Sequence, residues 1–114
     1  MDERVLHETF PGGAQVVRWP HRHALPEAEV TAFFHARGIA ATRWSNAPGT
    51  VYEEHAHAYR KMLFCVEGSI TFSLPEQGRD VRLAPGDRLT LPPGVRHRAL
   101  VGDHGVTCIE GGLS

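Results

Sequence analysis

Two histidines one residue apart, His55 and His57, precede a long apolar segment and constrain this chain more than any other feature. Successive side chains of a strand point to opposite faces of a sheet, so a regular strand places both histidines on the same face. Two neutral imidazoles side by side provide half of a metal site, and one or two further ligands must come from elsewhere. Residues 49–68 are therefore predicted to carry half of a metal centre.

A second stretch, residues 86–100, supplies a further ligand. Its apolar run ends in Pro92, Pro93 and Gly94, a combination typical of a turn that reverses the chain. The turn presents His97 where the next strand begins. The predicted metal ligands are His55, His57 and His97. Three neutral imidazoles suit Zn, Fe, Ni, Cu or Co rather than Mg or Ca, which prefer oxygen ligands. A metal-free pocket with three polar histidines is the alternative.

These two stretches resemble the paired motifs of the cupins, a family of small double-sheet β-barrels. In the first motif a glycine, a His-x-His pair and a second glycine stand at fixed spacing. The second motif joins a glycine, a Pro-x-Gly turn and a histidine. The matching positions are Gly49, His55, His57, Gly68, Gly86, Pro92, Gly94 and His97. The resemblance implies an all-β fold, the double-stranded β-helix or jelly-roll barrel, and it leaves the function open because cupins carry out many functions.

Two positions depart from the cupin pattern, with Lys61 in place of a glutamate ligand and Val101 in place of an asparagine. A protonated lysine repels a divalent cation, so its pKa falls, its side chain turns away, or no metal binds. A neutral Lys61 could act as a general base or form an imine, and a protonated one could bind an anionic substrate. A structural salt bridge, or a side chain that extends to the mouth of the barrel, is an equal alternative. Glu53 is the second catalytic candidate, as a partner of Lys61 or as a replacement ligand.

Regular alternation predicts that odd-numbered residues around the histidine pair face the barrel interior, Lys61 and Glu53 among them. The predicted pocket-lining residues are Val51, Leu63, Cys65 and Tyr59. Trp44 and Arg60 are further candidates for the mouth of the pocket, with a packing or surface role as the alternative. A bulge or tight turn at residues 58–60 would shift this register.

The rest of the sequence predicts a hairpin, one helix and a series of strands. The hairpin pairs residues 5–10 with residues 14–19. A short helix spans residues 26–37, with Pro26 at its first position and Gly38 as its terminator. Further strands are predicted at residues 40–45, 50–57, 61–66, 69–74, 79–83, 88–91, 95–101 and 106–110.

A length of 114 residues with 41% hydrophobic content fits one domain with one core. The predicted domain covers residues 1–114. Its N-terminal extension of hairpin and helix occupies residues 1–48, the motif-bearing barrel residues 49–101, and the closing strand residues 102–114.

Charge and hydropathy restrict the partners. A formal net charge of -1 leaves no basic stripe for nucleic acid, and no apolar run approaches the ~20 residues that cross a bilayer. The N-terminus lacks the basic-then-apolar order of a signal peptide, so we expect a cytoplasmic protein with Cys65 and Cys108 as thiols. The apolar even-numbered positions Met62, Phe64 and Val66, together with the hairpin, predict a homodimer.

The leading interpretation is a small metal-binding cupin with a three-histidine site in its barrel, acting as a metal-dependent enzyme on a small organic substrate. The alternative is a non-catalytic module that binds or senses a small ligand, with the metal as an anchor or absent. Whether the chain is an enzyme stays open at this point.

Overall fold

The computed structural model describes residues 6–113 and contains eight strands and one helix in that range. The strands are β1 (His7–Thr9), β2 (Gln15–Val17), β3 (Thr42–Asn46), β4 (Val51–His55), β5 (Arg60–Leu74), β6 (Arg79–Leu83), β7 (Arg88–Leu91) and β8 (His97–Leu113), and the helix α1 spans Glu27–His35. The predicted all-β fold with one short N-terminal helix is confirmed. The parts of the predicted segments at residues 1–5 and at residue 114 lie outside the described range.

Two long antiparallel strands, β5 and β8, connect the two halves of the structure. They pair from Arg60 opposite Leu113 to Ser73 opposite Arg98. In the first half β7 adds to β5 and β3 adds to β8, and the hairpin of β1 and β2 extends this sheet through β7. In the second half β6 adds to β5 and β4 adds to β8. Each long strand was predicted as two shorter ones, and the mutual pairing makes each of them continuous.

The residues that face the main core change from odd to even numbers along β5. Leu63 and Cys65 are buried in this core in the first half, whereas Ile70 and Phe72 are buried in it in the second. The pairing register with β8 shifts between these two groups, and Gly68 lies there with a φ of 70°. Because a strand has a period of two, such irregularities reverse the face that its side chains occupy. Both halves thereby contribute to one core.

The helix α1 covers the outer face of the first half, where it packs on β5 and β8. Pro26 caps it in an extended conformation, Glu27 and Glu29 occupy its first turn, and the helix buries Val30 and Phe34, which are four residues apart. Burial of each of these two side chains stabilises the fold by about 1.5–3 kcal/mol. Within residues 6–113 no helix has the length and apolar character to span a membrane.

The face of β5 that motivated the homodimer is covered by the chain's own helix. Phe64 is buried in a second core with Val30 and Phe34, and Met62 and Val66 pack against that core. These side chains are therefore not the free apolar surface that the sequence suggested. The homodimer stays a prediction, to be tested by light scattering of dilute protein, where a monomer mass would contradict it.

Replacement of Gly68 by alanine is expected to destabilise the fold by more than about 3 kcal/mol. A Cβ atom at this position would overlap the carbonyl oxygen of Gly105, in addition to the unfavourable positive φ. The matched control is Gly78→Ala, since Gly78 has a φ of 63° and no atom within 4 Å of an added Cβ. In the control variant the free energy of unfolding should fall by only about 1–2 kcal/mol. Urea unfolding measures both values, and equal losses would contradict the close approach at Gly68.

Candidate metal centre

The structure brings the three predicted ligand histidines together. His55 ends β4, His57 follows two residues later, and His97 begins β8 directly opposite His55. Their available ring nitrogens all lie within 4.8 Å of one another. The ring centres of His55 and His97 are 4.3 Å apart, and those of His57 and His97 are 5.2 Å apart. The three-histidine group can therefore bind a metal ion.

Backbone carbonyls orient two of the imidazole rings. His55 Nδ1 donates to the carbonyl oxygen of Glu53 at 2.7 Å, and His97 Nδ1 donates to that of Val95 at 3.0 Å. A carbonyl oxygen only accepts, so Nδ1 of each ring carries a proton, and in the neutral form of each ring the lone pair is on Nε2. The Nε2 atoms of His57 and His97 are buried and have no hydrogen-bond partner. Buried polar atoms rarely lack a partner, so these residues fit a metal ion.

His57 and His97 also have the protonation state that a metal requires. Burial is the main reason why the pKa of His97 falls to about 4. The pKa of His57 is also lowered, first by burial and then by the charges of Lys61 and His55. At neutral pH both rings are therefore neutral and offer a lone pair.

A bulge in β4 decides which residues share the histidine face. Tyr52 lies opposite Ala99 and His55 lies opposite His97, so β4 takes three steps where β8 takes two. The extra residue turns Tyr52 and His55 to the same side. The prediction that Val51 and Glu53 face inward is therefore wrong. Val51 is 63% exposed and Glu53 is exposed, and Glu53 serves the site through its backbone carbonyl.

A cavity of about 170 Å³ adjoins the histidines. Its lining residues are Trp44, Tyr52, His55, Lys61, Ile70, Phe72, His97, Ala99 and Glu110. Lys61 thus faces the site, as the alternation predicted. Its Nζ lies 3.2 Å from Glu110 Oε2, and Trp44 Nε1 donates to the other oxygen of the same carboxylate. The ionic partner of Lys61 is therefore Glu110 on β8 rather than Glu53.

The other predicted pocket residues do not line this cavity. Leu63 and Cys65 are fully buried in the main core. Tyr59 is 37% exposed, and its ring centre is 4.9 Å from that of His57. Cys65 and Cys108 are free thiols opposite one another on β5 and β8. A hydrogen bond with Cys65, together with burial, raises the pKa of the Cys108 thiol, so it acts as a packing group.

Sequence reasoning missed Glu110 and Tyr52. Glu110 follows Val106 and Cys108 on the inward face of β8, and both of these residues are in the main core. A lone carboxylate that continues an apolar alternation was the signal available in the sequence. Tyr52 had no such signal, because the bulge that turns it inward depends on pairing with β8.

A family model described as a cupin domain matches residues 42–109. The chain belongs to the cupin family. The match includes all three histidines, Lys61 and the two glycines of the first motif, and it agrees with the resemblance found in the sequence.

Two curated relatives match shorter parts of this cupin. It is 46% identical over 48 residues to the uncharacterized HTH-type transcriptional regulator YobQ of Bacillus subtilis, a match that spans 42% of this chain and 19% of that protein. It is 39% identical over 59 residues to acireductone dioxygenase of Danio rerio, across 49% of this chain and 33% of that protein. The matches therefore span about a third or less of the relatives' own length.

Solved structures share the fold at low identity. Acireductone dioxygenase from Bacillus anthracis, with a cadmium ion in its active centre, gives a TM-score of 0.65 at 23% identity over 90% of this chain and 79% of that chain. An RmlC-like cupin from Shewanella frigidimarina gives 0.57 at 21% identity over 98% of this chain and 86% of that one. At this identity the likeness shows the fold alone, and it confirms the predicted jelly-roll barrel.

Replacement of His57 by alanine is expected to lower metal affinity by more than about 100-fold, because loss of even a residue that only supports a ligand costs 10–100-fold. The fold should remain, since the main core is built from other side chains. Competition with a chelator measures the affinity, and urea unfolding measures the stability. His104→Ala is the control, because His104 is exposed. Unchanged affinity in His57→Ala would contradict the site.

Proposed function

We propose that this cupin holds a divalent transition metal on His55, His57 and His97 and that it acts as an enzyme on a small organic substrate in the adjoining cavity. One observation carries the proposal. The Nε2 atoms of His57 and His97 are buried without a hydrogen-bond partner in a cluster of ring nitrogens within 4.8 Å. The imidazole ligand set favours Zn, Fe, Ni, Cu or Co.

His55, His57 and His97 would hold the metal, and the bound ion would supply a Lewis acid that can polarise a substrate oxygen. The chain's own residues provide the rest of the binding site. Trp44, Tyr52 and Phe72 give the cavity apolar walls, and Lys61 and Glu110 give it one cation and one anion. Lys61 is placed to donate a hydrogen bond to an anionic substrate oxygen, and Glu110 is placed to accept one from a substrate hydroxyl.

The cavity limits the size of the substrate. Sites for drug-sized ligands have volumes of ~300–1,000 Å³, whereas this cavity measures about 170 Å³. We therefore propose a compact substrate with few heavy atoms and at least one oxygen that can approach the histidines. The sequence likeness to two acireductone dioxygenases, at 39% identity over about half of this chain, supports an enzyme activity at this site.

The proposal is tested on protein purified without a histidine tag. Elemental analysis should find about one transition-metal ion for each chain, and this ion should be absent from a His97→Gln variant. Turnover and oxygen uptake are then measured with a panel of small oxygenated metabolites. A metal-free wild-type protein, or the same metal content in His97→Gln, would sink the metal-binding part of the proposal.

A second candidate function is a non-catalytic module that binds or senses a small ligand. The likeness to the HTH-type regulator of Bacillus subtilis favours it. This function predicts saturable binding of a small molecule without conversion, whereas the enzyme predicts product formation that depends on the metal. Product analysis by mass spectrometry after prolonged incubation separates the two.

The pairing of Lys61 with Glu110 predicts an order of metal affinities. Lys61→Met removes a cation and leaves the Glu110 carboxylate unpaired beside the site, so affinity should rise by roughly tenfold. Lys61→Glu adds a second carboxylate, so its metal affinity should rise further. Glu110→Gln leaves Lys61 without its counter-charge, and its affinity should fall below that of the wild type.

Competition with a chelator at fixed pH measures the metal affinity of each variant in this series. Arg43→Met is the matched control, because it breaks an exposed ion pair with Glu27 at 2.8 Å. It should keep the wild-type affinity. Equal affinities for all variants would mean that Lys61 and Glu110 do not act on the bound ion, and their proposed role next to the substrate would be withdrawn.

A further inference from the structure

A groove on the outer face of the barrel lies between α1, the segment after β2, and the strands β5 and β7. Its volume is about 430 Å³, against about 170 Å³ for the histidine cavity. Its main walls are Trp19, Pro20, Leu25, Phe33, Phe64 and Arg88. Phe64 and Arg88 are cross-strand partners, and the residues beside them, Leu63 and Leu89, face the main core. The groove and the histidine cavity therefore lie on opposite sides of one sheet.

Arg88 enters this groove without a carboxylate in ion-pair distance among residues 6–113. Its guanidinium carbon lies 5.1 Å from the ring centre of Phe33 and 5.8 Å from that of Phe64. Its Nε atom is buried and has no hydrogen-bond partner. A second cation, Arg37, lies 3.4 Å from the centre of the Phe33 ring. Burial, and then the charge of Arg37, lower the pKa of Arg88.

A second arginine at the groove, Arg18, differs from Arg88 because it has a carboxylate partner. Arg18 also borders the groove, and its Nη1 bonds to Asp87 Oδ2 at 2.9 Å and to the carbonyl oxygen of Arg82. The fold thus supplies a carboxylate for one partly buried guanidinium and none of the described carboxylates for the other. A partly buried charge without a counter-charge is costly, so an anion that enters the groove and pairs with Arg88 would be favoured.

The chemistry of the groove specifies that anion. A guanidinium presents its N–H groups in a fixed fork that matches a carboxylate, and charge-assisted bonds of this kind are strong. The aromatic side chains of Trp19, Phe33 and Phe64 offer apolar surfaces next to the fork. Glu29 also lines the groove and would repel a second negative charge. The volume falls within the range of small-molecule sites.

We propose that this groove is a second binding site, separate from the histidine cavity, for a small aromatic or apolar molecule with a single carboxylate. The site uses Arg88 as the anion-binding group and the rings of Phe33, Phe64 and Trp19 as the walls for the apolar body. It is independent of the proposed function, because it shares no lining residue with the histidine cavity.

Calorimetric titration with cinnamate tests this site, with cinnamamide as the neutral probe of the same shape. The wild type should bind cinnamate and should bind cinnamamide at least about tenfold more weakly. Arg88→Met should lose cinnamate affinity by a similar factor. Without the probe its melting temperature should equal or exceed that of the wild type, because the substitution removes a desolvated cation.

Two control variants locate the binding. Arg98→Met removes an exposed arginine from β8 and should bind cinnamate as the wild type does. His97→Gln alters the histidine cavity and should also keep wild-type affinity, so failure of the proposed metal site leaves this result intact. Loss of cinnamate binding in His97→Gln would assign the probe to the histidine cavity and overturn the second site.

Two further outcomes would also overturn the proposal. The first is a wild type that does not bind cinnamate, and the second is equal cinnamate affinity in the wild type and in Arg88→Met.

Discussion

The antiparallel pairing of β5 with β8 is the constraint on which the rest of the structure depends. Each of these strands pairs with strands in both halves of the structure, β5 with β6 and β7 and β8 with β3 and β4, so their mutual register places these four neighbours. The pairing also brings Lys61 and Glu110 to the same cavity and sets Cys65 opposite Cys108. A slip of one residue would turn each inward side chain to the outer face and would remove both the core and the site.

Local irregularities reconcile this long pairing with one enclosed core. The residues of β5 that face the core change from odd to even numbers near Gly68. A bulge in β4 turns the side chains of Tyr52 and His55 to the same face of the strand. An extra residue on one strand is the simplest way to turn a side chain around without breaking the ladder. In β4 the bulge places the rings of Tyr52 and His55 on the same wall of the cavity. It also leaves the Glu53 carbonyl in position to orient His55.

The barrel treats its partly buried cations in two ways. Lys61 lies beside the histidines and forms an ion pair with Glu110, which also accepts a hydrogen bond from Trp44. The ion pair therefore adds little net charge to the cavity. Arg88 lies on the other side of the sheet, where aromatic rings surround it and none of the described carboxylates reaches it. The first arrangement lowers the repulsion that a lysine would exert on a bound cation. The second leaves the buried Nε atom of Arg88 without a hydrogen-bond partner, which is costly for a buried donor.

The sequence by itself determined the fold and the three histidines. The spacing of the glycines and the turn at Pro92 to Gly94 are local requirements of the backbone, and short-range alternation is enough to expect His55 and His57 together. Tertiary structure alone decided the partner of Lys61, the inward position of Tyr52 and the exposure of Val51. Glu110 is distant from Lys61 in the chain, and the bulge in β4 exists only against β8. No pattern within one strand encodes these contacts, because the pairing register between two distant strands sets them.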